Sequence, residues 1–215
     1  MIADDHALIR DGTRRILEQE PDLQVVAEAG DGEEAVQMAL RHKPDVAIID
    51  IAMPVVDGIE ATRRIKELDP AIAILILTAY DDDEFVFNLL ESGAAGYLLK
   101  KVRGQELIDA VRAVYNGESV LHPSIARKVV NRLLPSAAKS GKKESTELLS
   151  SREMDIIKLV IKGQSNKDIA DELSLSVRTV QGHLGRMFDK LGVSSRTEAV
   201  VRALKEGWVT LDDLP

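Results

Sequence analysis

The chain has 215 residues, 45% hydrophobic and 30% charged, which is ample for one large or two modest globular cores. It contains no cysteine, so disulfides and thiolate metal sites are excluded, and no apolar run approaches the ~18 residues of a membrane span. The net charge of -8 is uneven: residues 1–131 hold 14 Lys/Arg against 24 Asp/Glu, residues 132–147 four against two, and residues 148–215 ten against ten. An acidic first part, a basic tether and a neutral last part are implied. Three Phe, three Tyr and one Trp are too few for a platform that stacks single-stranded nucleic acid. With no charged-then-apolar leader after Met1, the expected location is cytoplasmic, with no membrane partner.

In chain order, Ile2-Ala3 reads as a strand end running into Asp4-Asp5, and Leu8, Ile9, Ile16 and Leu17 then recur near helical spacing. A second strand is expected over residues 23–29, turned by Gly30-Asp31-Gly32, with a helix through Ala35, Val36, Ala39 and Leu40. Val46 to Ile49 is apolar at every position, as a strand covered on both faces would be, and it ends at Asp50. Turn chemistry at Met53-Pro54 and Asp57-Gly58 leads into a helix through Ile59, Thr62 and Ile65. Ile72 to Leu77 is another fully apolar strand, closing on Thr78. A helix over 84–92, a strand from Gly96 to Leu99 ending at Lys100, and a helix over 106–116 complete the series. Strand and helix alternating five times predict an α/β doubly wound, five-stranded parallel sheet of flavodoxin-like type in residues 1–120.

That topology brings Asp4, Asp5, Asp50, Thr78 and Lys100 to one rim, at the carboxyl ends of four strands. Crowded carboxylates repel one another unless a cation sits among them, and hard oxygen donors in an incomplete shell suit Mg²⁺. A phosphoryl group on Asp50 would bridge that metal, with Lys100 balancing its charge and the Thr78 hydroxyl donating to an oxygen. Singly, each residue has a plainer reading: a capping pair at Asp4-Asp5, a β-branched strand residue at Thr78, a solvated Lys100. Their coincidence at one edge favours the functional one. A haloacid-dehalogenase-like phosphotransferase would need a second Asp two residues after the nucleophile, and Ala52 stands there.

Residues 121–147 read as a linker, with a helix over 124–134 stopped by Pro135 and a Ser, Lys, Ala and Gly tether after it. From 148 to 215 the pattern is all-α, four helices. Ser150-x-x-Glu153 and Ser165-x-x-Asp168 are capping boxes, Ser176 caps a longer helix with Val177, Val180, Leu184, Phe188 and Leu191 on one side, and Ser195-x-x-Glu198 opens the last. Two capped helices joined by a tight turn describe a helix-turn-helix, whose second helix reads a DNA major groove. The outward face of that helix carries Arg178, Thr179, Gln181, His183, Arg186 and Lys190.

These motifs carry a resemblance over nearly the whole chain. Ala3-Asp4-Asp5-His6, Asp50-Ile51-Ala52-Met53-Pro54, Leu77-Thr78-Ala79 and Gly96-Tyr97-Leu98-Leu99-Lys100 resemble the receiver domain of two-component response regulators. Leu149-Ser150-x-Arg152-Glu153, Gly163-x-Ser165-Asn166-Lys167-Asp168 and Lys190-Leu191-Gly192-Val193 resemble the LuxR/NarL-type DNA-binding domain. The chain is thus similar to NarL/FixJ-type response regulators. The resemblance implies phosphorylation of Asp50 by a sensor histidine kinase. It places Mg²⁺ on Asp5, Asp50 and the Ala52 carbonyl, with Asp4 acting through water, and makes Thr78 and Tyr97 a coupled switch. It implies no enzyme activity beyond the domain's own phosphoryl transfer and dephosphorylation. Positions that reach bases in relatives fall on Gln181, Gly182 and Gly185, leaving DNA phosphates to Lys167, Arg178, Thr179, His183 and Lys190. The partners implied are double-stranded DNA as a promoter inverted repeat, a second copy paired through Val200, Val201 and Leu204, and RNA polymerase.

In the closed form expected from this, the receiver occludes the recognition helix. The rival reading is a phosphorylation-independent DNA-binding regulator whose acid pocket is structural. Three features depart from the family: a first strand with only Ile2-Ala3 before the acids, Lys101-Val102 after Lys100, and Val55 where a glycine is common.

Overall fold

The structure is a computed structural model that describes residues 1–79, 92–121, 149–206 and 208. The helix expected over 84–92, apart from Ser92, the helix expected over 124–134 and the tether lie outside the described residues. Strands β1 (Ile2–Ala3), β2 (Glu28–Ala29), β3 (Val46–Ile49), β4 (Ala73–Thr78), β5 (Gly96–Leu99) and β6 (Val120–Leu121) form one parallel sheet in the order β2-β1-β3-β4-β5-β6. The sixth, two-residue strand extends the five expected and pairs Gly96 with Val120.

Helices α1 (Ala7–Leu17), α2 (Gly32–His42), α3 (Gly58–Leu68) and α4 (Gly104–Tyr115) cover both faces. The apolar strands divide their side chains between them. Ala3, Ile49, Ile74, Ile76 and Tyr97 share a core with Ala35, Ala39, Ala61 and Ile65 of α2 and α3. Ile2, Ile48, Leu75, Leu77 and Leu98 share the opposite one with Leu17 of α1 and Leu107, Ile108 and Val111 of α4. This double coverage is why β3 and β4 show no polar alternation. Asp31 and Asp57 cap α2 and α3 by accepting the backbone N–H groups of Glu34 and Glu60, both at 2.8 Å.

The second strand is shorter than expected. Residues 23–27 have no strand assignment: β1 pairs from Glu28 onward, and before it only the Ala27 carbonyl is engaged by β1, accepting the Ile2 N–H at 3.1 Å. Met1 is nonetheless buried, and its ammonium donates to the Val46 carbonyl at 2.8 Å.

The carboxyl-terminal helices are α5 (Ser151–Ile161), α6 (Asn166–Glu172), α7 (Val177–Leu191) and α8 (Arg196–Lys205). Both expected capping boxes form, at Ser150/Glu153 and Ser165/Asp168. Ser176 accepts the Thr179 N–H at 3.1 Å, and Gly192, in the left-handed region at φ 62, ends α7. Ile156, Ile157, Ile169, Val180, Leu184 and Met187 make the bundle core. Among the described residues no helix is long and apolar enough to cross a membrane.

Candidate functional site: an acidic pocket and an exposed helix

The pocket forms where β1, β3 and β5 end. Parallel pairing of Ala3 with Ile49 sets Asp4 beside Asp50, and both are buried, 3% and 4% exposed. The Asp50 backbone N–H donates to the Ala3 carbonyl at 2.9 Å, locking that register. Ligand atoms of Asp4, Asp5, His6 and Asp50 lie within 4.8 Å of one another, close enough to share one ion. His6 was not among the expected site residues, although it directly follows the acid pair. Its Nδ1 lies 2.7 Å from Asp5 Oδ1 and 3.4 Å from Asp4 Oδ1.

Lys100 reaches in from the end of β5. Its Nζ stands 2.6 Å from both Asp4 Oδ2 and Asp50 Oδ2. Burial alone would lower the Lys100 pKa, but the two carboxylates outweigh it and hold the ammonium above its ordinary value. Asp50 Oδ1 meanwhile accepts the Ile51 backbone N–H at 2.7 Å, so the carboxylate is held at both oxygens. Thr78 is fully buried at the end of β4, where its carbonyl accepts the Lys100 N–H at 2.8 Å. Tyr97, 1% exposed, lies within the sheet core, and Ala52 is exposed on the turn after Asp50.

The loop beyond Asp50 is tightly built. A Cβ at Gly58 would collide with the Asp50 carbonyl oxygen, and the Gly58 N–H donates to the Ile51 carbonyl at 2.8 Å. Val55 takes φ 66 with its side chain 82% exposed, a conformation that suits glycine and strains a β-branched residue. Described peptide bonds are all trans, including that between Lys100 and Lys101.

Helix α7 presents Arg178, Thr179, Gln181, Gly182, Gly185 and Arg186 to solvent, with His183 half-buried and accompanied by Arg186 at 3.0 Å. This differs from the closed form expected from sequence: among the described residues the receiver does not cover this helix. Lys167 is exposed at the start of α6. Lys190 is less available than its position suggests, because Nζ pairs with the buried Glu153 carboxylate at 2.7 and 3.0 Å. Burial works to raise the Glu153 pKa, but Lys190 and Ser150 together bring it down to about 2. Among the described residues nothing within 4 Å would obstruct a side chain at Gly185, so their packing does not require glycine there.

The expected dimer face lies on α8. Val201 is 4% exposed and Val200 half-buried, while the Leu204 side chain lies outside the described residues.

An acidic pocket at the edge of a parallel sheet, followed by a helix-turn-helix, defines the class. Residues 1–112 match the response regulator receiver domain, and residues 147–203 match the luxR family of bacterial regulatory proteins. The chain belongs to the two-component response regulators of NarL/FixJ type, which join a receiver to a LuxR-type DNA-binding domain and regulate transcription rather than act as classical enzymes.

Among its relatives are the oxygen regulatory protein NreC of Staphylococcus epidermidis (strain ATCC 12228 / FDA PCI 1200), 43% identical over 210 residues and 96% of each chain. Another is the transcriptional regulatory protein DegU of Brevibacillus brevis, 38% identical over 97% of this chain and 94% of that one. Of solved structures, the response regulator ChrA from a heme-sensing two-component system is similar at 36% identity and TM-score 0.52, covering 97% of both chains.

Proposed function

We propose that a sensor histidine kinase phosphorylates Asp50, and that this controls dimerisation and sequence-specific binding of a promoter inverted repeat by a cytoplasmic regulator that works with RNA polymerase. The observation that carries the reading is Lys100 Nζ at 2.6 Å from both Asp4 and Asp50, inside a cluster of acids close enough to share an ion.

In the transfer, a carboxylate oxygen of Asp50 attacks phosphorus while the N–P bond of the kinase phosphohistidine breaks. The bonding pair stays on the imidazole nitrogen. Lys100 follows the charge onto the new acyl phosphate, and the Thr78 hydroxyl donates to one of its oxygens. The predominantly carboxylate donor set fits Mg²⁺. Asp5, Asp50 and the Ala52 carbonyl, with Asp4 through water, would hold it, and the ion supplies charge neutralisation at the phosphoryl oxygens. A coupled rearrangement of Thr78 and Tyr97 then biases the chain toward its paired state. On DNA, Gln181 reads a base edge, Gly182 and Gly185 permit close approach, and Lys167, Arg178, Thr179, His183, Arg186 and Lys190 position phosphates.

Incubation with acetyl phosphate and Mg²⁺ is expected to give an acid-labile adduct and to raise operator affinity. Asp50→Asn abolishes both. Unchanged stimulation in that variant would overturn the reading. The second reading, regulation without phosphorylation, takes the pairing of Lys100 with Asp4 and Asp50 as a structural one. It expects no adduct and equal DNA affinity in the two proteins.

A further inference from the structure

His6 is the N-cap of α1, a position where Ser, Thr, Asp or Asn ordinarily turns its side chain onto the free N–H groups of the first turn. The imidazole makes no such bond. It is turned to the acid pair instead, with Nδ1 2.7 Å from Asp5 Oδ1 and 3.4 Å from Asp4 Oδ1. The His6 backbone N–H donates to the same Asp4 Oδ1 at 2.9 Å, which holds the residue against that carboxylate.

The oxygens of Asp4 divide between two sides of the pocket. Oδ2 meets Lys100 Nζ at 2.6 Å, as does Asp50 Oδ2, while Oδ1 looks toward His6. Asp4, Asp5 and Asp50 against Lys100 set three carboxylates against one ammonium, and the two negative charges left over match one divalent ion. Two donors bonded to one ion at about 2.1 Å, at angles from a right angle to tetrahedral, stand about 3.0–3.4 Å apart. The spacings of Nδ1 from Asp5 and Asp4 bracket that range, and Asp50 also offers a ligand atom within 4.8 Å of the others.

We infer that His6 Nδ1 is a ligand of the ion these acids share, and that this nitrogen makes the pocket select a first-row transition ion of the zinc class over Mg²⁺. Mg²⁺ takes hard oxygen donors, whereas imidazole suits zinc and its neighbours, so one nitrogen among carboxylates moves the preference toward them. The inference deepens the proposed function and rests on its reading of the pocket as a divalent-ion site. A hydrogen bond from Nδ1 to Asp5 uses the same approach, and ion selectivity separates the two roles: a hydrogen bond to Asp5 alone serves every ion equally, a ligand does not.

The full chain is titrated with Zn²⁺ and with Mg²⁺ by calorimetry, in the parent and in His6→Phe, a change at a side chain 67% exposed. Loss of the nitrogen is expected to weaken Zn²⁺ by at least about 10-fold and to leave Mg²⁺ within about 2-fold. In the parent, added Mg²⁺ raises the apparent Zn²⁺ dissociation constant, because both ions fill one pocket. His6→Asn, which supplies an oxygen donor and a better helix cap, is expected to lose Zn²⁺ affinity as His6→Phe does, so the loss is not a failure to fold. Equal Zn²⁺ affinity in the parent and the two variants, an equal loss of both ions, or Zn²⁺ binding indifferent to Mg²⁺ would each overturn the inference. The acid-labile adduct formed by the parent with acetyl phosphate and Mg²⁺ reads the proposed function separately: its absence counts against that reading, and its presence with unchanged Zn²⁺ affinity in the variants counts against the role of His6 alone.

Discussion

At Asp4 and Asp50 two buried carboxylates stand together, and the only cation within hydrogen-bond reach of both among the described residues is Lys100. Lys100→Ala leaves like charges facing each other, at a cost of about 3–5 kcal/mol typical of a buried pair broken on one side. Millimolar Mg²⁺ is expected to recover much of that loss and to stabilise the variant more than the parent, as read by urea unfolding with and without the ion. Equal Mg²⁺ effects on the two proteins would contradict a shared cation site. Val55 tells a different story in the same loop. Its φ of 66 costs a β-branched residue about 1–2 kcal/mol or more, whereas glycine forfeits only roughly 0.5–1 kcal/mol through its freer unfolded chain. Val55→Gly is therefore expected to raise unfolding stability by about 1 kcal/mol in denaturant titrations. Most of the pocket was legible because Asp50, Thr78 and Lys100 each end an apolar run. His6, and the direct grip of Lys100 on Asp4, were not: both depend on side-chain direction at a strand end, which periodicity does not encode.

Among the elements, β3 and β4 were readable from unbroken apolar runs, and the caps of α5, α6 and α7 from Ser at the right spacing. The ends of β2 were not, because a strand is defined by its neighbour and β1 offers only two paired residues. The space beside them is a cavity of about 460 Å³ lined by Met1, Leu17, Val25, Val46, Val111 and Tyr115. The ammonium of Met1 lies at its edge, and burial pushes that group down from 8.0 to about 6 despite the nearby Asp45. Between those values the unfolded chain binds a proton that the folded chain releases, so stability rises with pH from 6 to 8. The penalty is fully present below pH 6 and gone above pH 8, and amounts to roughly 2–3 kcal/mol. Adding Met-Lys-Ile ahead of Met1 carries the charge out of the core and offers an apolar side chain to the face shared by Ile2 and Leu17. Urea unfolding at pH 6 and pH 8 is expected to show this slope in the parent and to lose it in the extended chain. An equal slope in both would mean that other groups produce it.

For the whole molecule, two halves of distinct composition were visible in the charge distribution, but their docking was not. Hydrogen bonds such as those of Thr197 to Ala95 and Ser119 join positions with no pattern in common. The docked form leaves α7 open, and this has a measurable electrostatic consequence. One copy exposes Lys167, Arg178 and Arg186 for phosphate contact, while Lys190 is tied to Glu153. Three released counterions give a slope of log affinity against log salt of about -3, and a pair of copies about -5 to -6. A Ser119→Cys/Thr197→Cys protein, oxidised so that a disulfide holds the two halves together, is expected to bind duplex DNA weakly with the shallower slope. After reduction and phosphodonor treatment the same protein is expected to take the steeper one. Fluorescence anisotropy at several NaCl concentrations separates the two, since the comparison cancels the contacts each copy makes alone. Identical slopes would mean that the docked form already binds as a pair, or that the open form binds singly, and either would break the link between separation of the two halves and paired binding on DNA.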